Sequence, residues 1–112
     1  MLPADTAHYL REISRVMKPG GRCLATFFLL DDTARQNIAS GKTVPSFVHT
    51  YGHTGCRIEV KAIPEAAIAY EESFVRTLHQ DAGLSVDAVN FGQWGRGRLI
   101  AHWQDEVWSS KQ

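Results

Sequence analysis

Between Leu10 and Leu30 the chain passes through three patterns that leave little freedom in how it folds. Leu10, Ile13, Val16 and Met17 recur at i, i+3, i+6 and i+7, with Arg11, Glu12 and Arg15 on the other face, which reads as an amphipathic helix. Pro3 suits a first-turn position and Asp5 the positive end of that helix. Lys18-Pro19-Gly20-Gly21 ends it, because Pro19 cannot continue a helix and glycines adopt the positive φ that a turn demands. From Arg22 to Leu30 both faces of the pleat are then apolar: Cys23, Ala25, Phe27 and Leu29 on one, Leu24, Phe28 and Leu30 on the other. A strand without alternation is expected to be covered on both sides. Helix, tight turn and buried strand form one αβ step of an open sheet.

Further along, Asp31 or Asp32 can cap a short helix running to about Ser40, with Gly41 as its stop. Between Lys42 and Val60, apolar residues flank a Gly52-His53-Thr54-Gly55 turn, which fits a hairpin. Pro64 breaks the chain again. Glu71 to Ala82 reads as a helix with Phe74, Val75 and Leu78 buried and Gly83 as its stop; His8 and His79 fall on helices and are expected to face solvent. A strand of mixed exposure from Leu84 to Phe91, a glycine-rich loop bearing Trp94, and a last strand from Ala101 to Ser109 complete the pattern.

A chain of 112 residues is one domain at most. Twelve basic and twelve acidic residues cancel, so no net field draws it to nucleic acid or an anionic membrane. The longest apolar run, Leu24 to Leu30, is far short of the ~20 residues of a membrane span. The opening residues lack the basic and apolar regions of a signal peptide, and two cysteines make no disulfide framework. A reduced, cytoplasmic protein is expected.

Several of these segments resemble, in order, the second half of class I S-adenosylmethionine-dependent methyltransferases. The helix–Lys18-Pro19-Gly20-Gly21–strand step is similar to that family's, and Met1-Leu2-Pro3 looks like the segment just after its fourth strand. Pro64 to Tyr70, followed by Glu71 to Val75, resembles the lead-in to its late helix. Asp81-Ala82-Gly83-Leu84 resembles its helix–Gly-Leu–strand step, and Gln104-Asp105-Glu106-Val107 the start of its final strand.

The resemblance implies a C-terminal half containing the fifth, sixth and seventh strands. The fold it leads us to expect is α/β, a partial Rossmann-like sheet of about three strands with two principal helices, over residues 1–112. In that family S-adenosylmethionine is held mainly by the first half, through a glycine-rich loop after strand one and an acidic residue ending strand two. Gly92-Gln93-Trp94-Gly95-Arg96-Gly97 has spaced glycines but follows a late strand and opens no clear helix, so no cofactor is expected to bind this chain alone. A truncated or proteolysed product, an internally assigned start and a natural half-domain all remain open. Strand Arg22–Leu30 would normally have a parallel neighbour from the other half. Its open edge is expected to be covered by another copy, giving a homo-oligomer.

Ligands of open α/β sheets lie outside the carboxyl ends of the strands. On that rule Phe28, Leu29 and Leu30, together with the excursion bearing His49 and Tyr51, would border a pocket for a small-molecule methyl acceptor, with plain core packing as the alternative for Phe28 and Leu29. Methyl transfer chiefly needs positioning and exclusion of water, so no catalytic side chain is singled out. His49, His53 and Cys56 are ligand types zinc accepts, but no fourth ligand is near, and a polar hairpin explains them better; no metal is expected. A non-enzymatic α/β module for assembly or binding is the alternative to a methyltransferase-derived chain.

Overall fold

Helix α1 (Pro3–Val16) turns through Lys18–Gly21 into strand β1 (Arg22–Leu30), as the sequence pattern requires. The computed structural model describes residues 2–43, 47, 49–51, 56–59, 62, 67–92, 94–96 and 104–112. In the turn, Met17 N–H donates to the carbonyls of Ile13 and Ser14, and Gly20 takes φ 83°. A Cβ on Gly21 would lie 2.9 Å from the Lys18 carbonyl oxygen, so backbone proximity excludes a side chain there. Next come α2 (Asp32–Ala39), β2 (His49–Tyr51), β3 (Cys56–Ile58), β4 (Ile68–Glu71), α3 (Glu72–Asp81), β5 (Leu84–Asn90) and β6 (Asp105–Lys111).

The six strands make one mixed sheet in the order β2-β3-β4-β1-β6-β5. Only β1 and β4 are parallel; every other pair is antiparallel. This corrects the expected three-stranded Rossmann-like sheet with two principal helices: the architecture is α/β, and the described residues form six strands and three helices. The largest departure is β4. Ile68, Ala69 and Tyr70, which the sequence pattern presents as the lead-in to a helix, are all buried; Ala69 and Tyr70 pair with β1 and Ile68 with Ile58 of β3. So short an apolar run carries no period that separates strand from helix. The hairpin of β2 and β3 adds the outer strands, its turn residues 52–55 lying outside the described ones. The last strand starts at Asp105 rather than Ala101, and residues 101–103 also lie outside them.

Strand β1 is central, and it is covered unevenly. Phe27, Leu29 and Leu30 are buried, whereas Arg22, Leu24 and Thr26 are exposed, Leu24 by 45%. One face of the sheet carries Phe27, Leu29, Ile58, Tyr70 and Val107 against Val75 and Phe74 of α3. Leu10 of α1 packs with Leu78 and Leu84, and the Thr6 and Tyr70 hydroxyls bond at 2.8 Å, fixing α1 over the same face. On the other face Leu30 and Ala69 meet Ala34 and Ile38 of α2, with Phe47 and Trp94. Among the described residues that second layer reaches the carboxyl half of β1.

His79 is fully buried, not solvent-facing, because it shares the inward stripe of α3 with Val75 and Leu78. Its Nδ1 meets the Val75 carbonyl at 2.8 Å, which requires the proton on Nδ1; among the described residues Nε2 has no hydrogen-bond partner. Burial therefore lowers its pKa from the ordinary 6.5.

Two outcomes are expected. Gly20→Ala should destabilise the fold by about 1–2 kcal/mol in urea unfolding, the cost of a left-handed backbone for a residue with a Cβ. For His79, the unfolded chain takes up a proton as pH falls through 6.5 while the folded chain does not, so stability should decline below that pH. His79→Leu should flatten the decline in urea midpoint between about pH 7 and about pH 5.5.

Candidate functional site

The carboxyl ends of the parallel pair β1 and β4 lie side by side, where Leu30 pairs with Glu71. Beneath them Phe28, Phe47 and Trp94 form an aromatic cluster with ring centroids 5.1–5.4 Å apart. Trp94 and Phe47 are fully buried and Phe28 is half-buried. Two ion-pair systems form a rim at the strand ends. Asp31 caps α2 by accepting the Ala34 N–H at 2.8 Å, and its second oxygen accepts Arg96 Nη2 at 2.8 Å. Arg35 Nη1 donates to both Glu71 oxygens at 2.8 and 2.7 Å, and Nη2 to Asp32 at 2.7 Å. Those bonds hold the Arg35 guanidinium above its usual range. The guanidinium of Arg96 also stacks 4.3 Å from the centre of the Phe91 ring.

Asp105 is the pivot of this region. Its carboxylate is fully buried; Oδ2 accepts Leu29 N–H at 2.8 Å and Trp94 Nε1–H at 2.7 Å, and Oδ1 accepts Gly92 N–H at 2.7 Å. Burial pushes its pKa above the ordinary 3.8, while the three donors and the charge of Arg96 pull it back. All three partners are N–H donors, an arrangement matched to the ionised, acceptor-only form.

The candidate pocket residues do not converge. Phe28 and Leu30 lie on the α2 face. Leu29 and Tyr51 belong to the opposite face, where Leu29 is core and Tyr51 packs at its margin. His49 is exposed on the outer strand β2. Described cavities of about 280, 240 and 220 Å³ lie between α3 and β5, between α1 and β1, and beside Asn90–Gly92. Of the five candidates, none lines any of the three. Glu71, Arg35 and Asp105 carry no pattern in the sequence that marks them as site residues; the local signal is Asp31 ahead of a helical pattern.

Of the spaced glycines, Gly92 and Gly95 are described, while Gly97 lies outside the described residues. Gly92 N–H is engaged by Asp105, and a Cβ on Gly95 would stand 3.0 Å from that of Ala34. Asn37 Nδ2 donates to the Gly95 carbonyl at 2.8 Å, binding the loop to α2. These glycines let the loop pack closely. Among the described residues no three His, Cys, Asp or Glu side chains could hold a metal ion, and no helix is long and apolar enough to cross a membrane. Cys56 is buried in the core, Cys23 is half-buried, and His53 lies outside the described residues.

Asp105→Ala strands two buried N–H donors, those of Leu29 and Trp94, each at about 1–3 kcal/mol, so a loss of at least about 2 kcal/mol is expected by chemical denaturation. Trp94 emission should shift to the red at denaturant concentrations where the wild type stays folded. Neither the protein-family models nor the solved structures compared with this chain gave a match.

Proposed function

We propose that this chain is derived from the rear half of a class I S-adenosylmethionine-dependent methyltransferase domain, and that it does not bind the cofactor or transfer methyl groups alone. The observation that carries the reading is the order of elements around the resembling segments. Lys18-Pro19-Gly20-Gly21 joins α1 to β1, Ala82-Gly83 joins α3 to β5 with Leu84 its first residue, and Asp105 opens β6. The rim at the ends of β1 and β4 would border an acceptor on the completed domain, its carboxylates Asp31, Asp32 and Glu71 paired with the guanidiniums of Arg35 and Arg96. In this reading the methionine and ribose ends of the cofactor belong to residues other than these.

A chimera tests it. Joining the glycine-rich first half of a class I methyltransferase ahead of Leu2 should give a folded protein that binds S-adenosylmethionine by titration calorimetry, whereas the chain alone gives no heat. A folded chimera without binding, or binding by the chain alone, overturns the proposal.

The second reading, a non-enzymatic assembly or binding module, is favoured by the pairing of β1. On the β4 side its register covers only Phe28, Leu29 and Leu30, and among the described residues no strand pairs there with Arg22–Phe27. Pairing along that edge can join a second copy, giving a homo-oligomer, or a different polypeptide. Light scattering coupled to size-exclusion chromatography separates the two: a species of about twice 12.5 kDa means a second copy.

A further inference from the structure

Side chains alternate along β1, and Phe28 and Leu30 lie beneath α2, so Arg22, Leu24 and Thr26 share that face; all three are exposed. The strand register carries the same face across β6 and β5. Three rows result. Leu24, Trp108 and Ala88 stand side by side in the middle. To one side Arg22 is level with Ser110, and to the other Thr26 is level with Glu106, which pairs in turn with Asn90. The middle row is apolar, one outer row carries a guanidinium, and the other carries a carboxylate. Leu24 is 45% exposed, Ala88 is exposed and Trp108 is half-buried. Arg22 leans across onto β6, its guanidinium carbon 5.2 Å from the centre of the Trp108 ring. Among the described residues neither Arg22 nor Glu106 has an ion-pair partner.

A face with that order of charges is complementary to itself. A two-fold rotation about an axis along the apolar row, between two copies, sets Leu24 against Leu24 and Trp108 against Trp108. The same rotation lays the row of Arg22 over the row of Glu106. Because Arg22 leans onto β6, each guanidinium comes opposite the β6 carboxylate of the other copy, and the symmetry makes the pair twice. A third charge on the face, Asp87, accepts the Ser110 hydroxyl at 3.2 Å and falls opposite Ala88 and Asn90 of the other copy. We infer that this face of β1, β6 and β5 is the interface of a symmetric homodimer, packed sheet on sheet, with two Arg22–Glu106 pairs flanking Leu24 and Trp108. The inference rests on the assembly reading above and moves the contact from a strand edge to a sheet face. A contact three strands wide is small for a stable complex, so roughly micromolar or weaker association is expected.

Sedimentation equilibrium of the full chain tests it. The wild type should form a species of about twice 12.5 kDa as its concentration rises toward millimolar. Arg22→Glu and Glu106→Arg should each weaken dimerisation at least about tenfold, since each turns two attractions into two repulsions. Mixed in equal amounts, the two variants should dimerise as the wild type does, because one brings carboxylates to both contacts and the other guanidiniums. That recovery is intermolecular, so a change within either variant's own fold does not produce it. On dilution of the wild type, the NMR signals of the Trp108 indole and the Leu24 methyls should shift while those of the buried Leu10 methyls stay in place. A wild type that remains monomeric at millimolar concentration overturns the inference. So does a mixture that stays monomeric while both variants keep the wild-type circular dichroism spectrum. If a variant misfolds, the dilution experiment decides: dimers that form without movement at Leu24 and Trp108 overturn the sheet face. Dimers that survive both charge reversals also overturn it, and leave the assembly reading standing.

Discussion

The fully buried Asp105 carboxylate receives the Leu29 amide, the Trp94 indole and the half-buried Gly92 amide. Through these bonds the first residue of β6 is tied to the central strand, to the end of β5 and to the ring that roofs the α2 face. A buried carboxylate without partners would be strongly unfavourable, and the buried Leu29 and Trp94 donors without it would be scarcely better. The group and its partners therefore select one another. Since β6 separates β1 from β5, its placement determines which strands β1 can still pair with. That consequence reaches from one side chain to the topology of the sheet.

With β6 fixed on one side, the other side of β1 governs how the molecule meets its surroundings. Its carboxyl half is closed by β4, by the aromatic cluster and by the ion pairs of Arg35 and Arg96. Beside its amino half lies the groove between α1 and β1. The proposed descent from a methyltransferase half concerns this asymmetry. A central strand of an α/β sheet is ordinarily flanked along its full length, and here the described flank covers one end.

The parts legible in the sequence were those with a long period or a hard stop. Helix α1 shows four apolar positions before Pro19, and the Lys18–Gly21 turn follows from the residues that can and cannot be helical. Asp31 and Gly41 bounded α2 for the same reasons, and Gly83 ended α3. Strand β4 was illegible because three apolar residues have no period, and Pro64 drew attention to a break instead. The apolar faces of β1 were readable, but their cover depends on α2 and Trp94, which reach only Phe28 and Leu30. His79 could have been placed inside, since its spacing from Val75 is that of an inward stripe; its polarity argued the other way. Asp105 gave no signal. A carboxylate at a strand start is ordinarily solvated, and its three donors come from positions 11 to 76 residues away. The candidate site fared worse than the fold for this reason: its charged rim is assembled across distant segments.

The central claim is that β6 is locked against β1 by the Asp105 carboxylate. The most direct measurement is NMR detection of coupling through those hydrogen bonds, from the Leu29 and Gly92 amide nitrogens to the Asp105 side-chain carboxyl carbon. The account predicts cross-peaks from both amides and a slowly exchanging Trp94 indole proton. Solvent-exchanging amides at Leu29 and Gly92, with an indole proton lost to exchange at once, would contradict it.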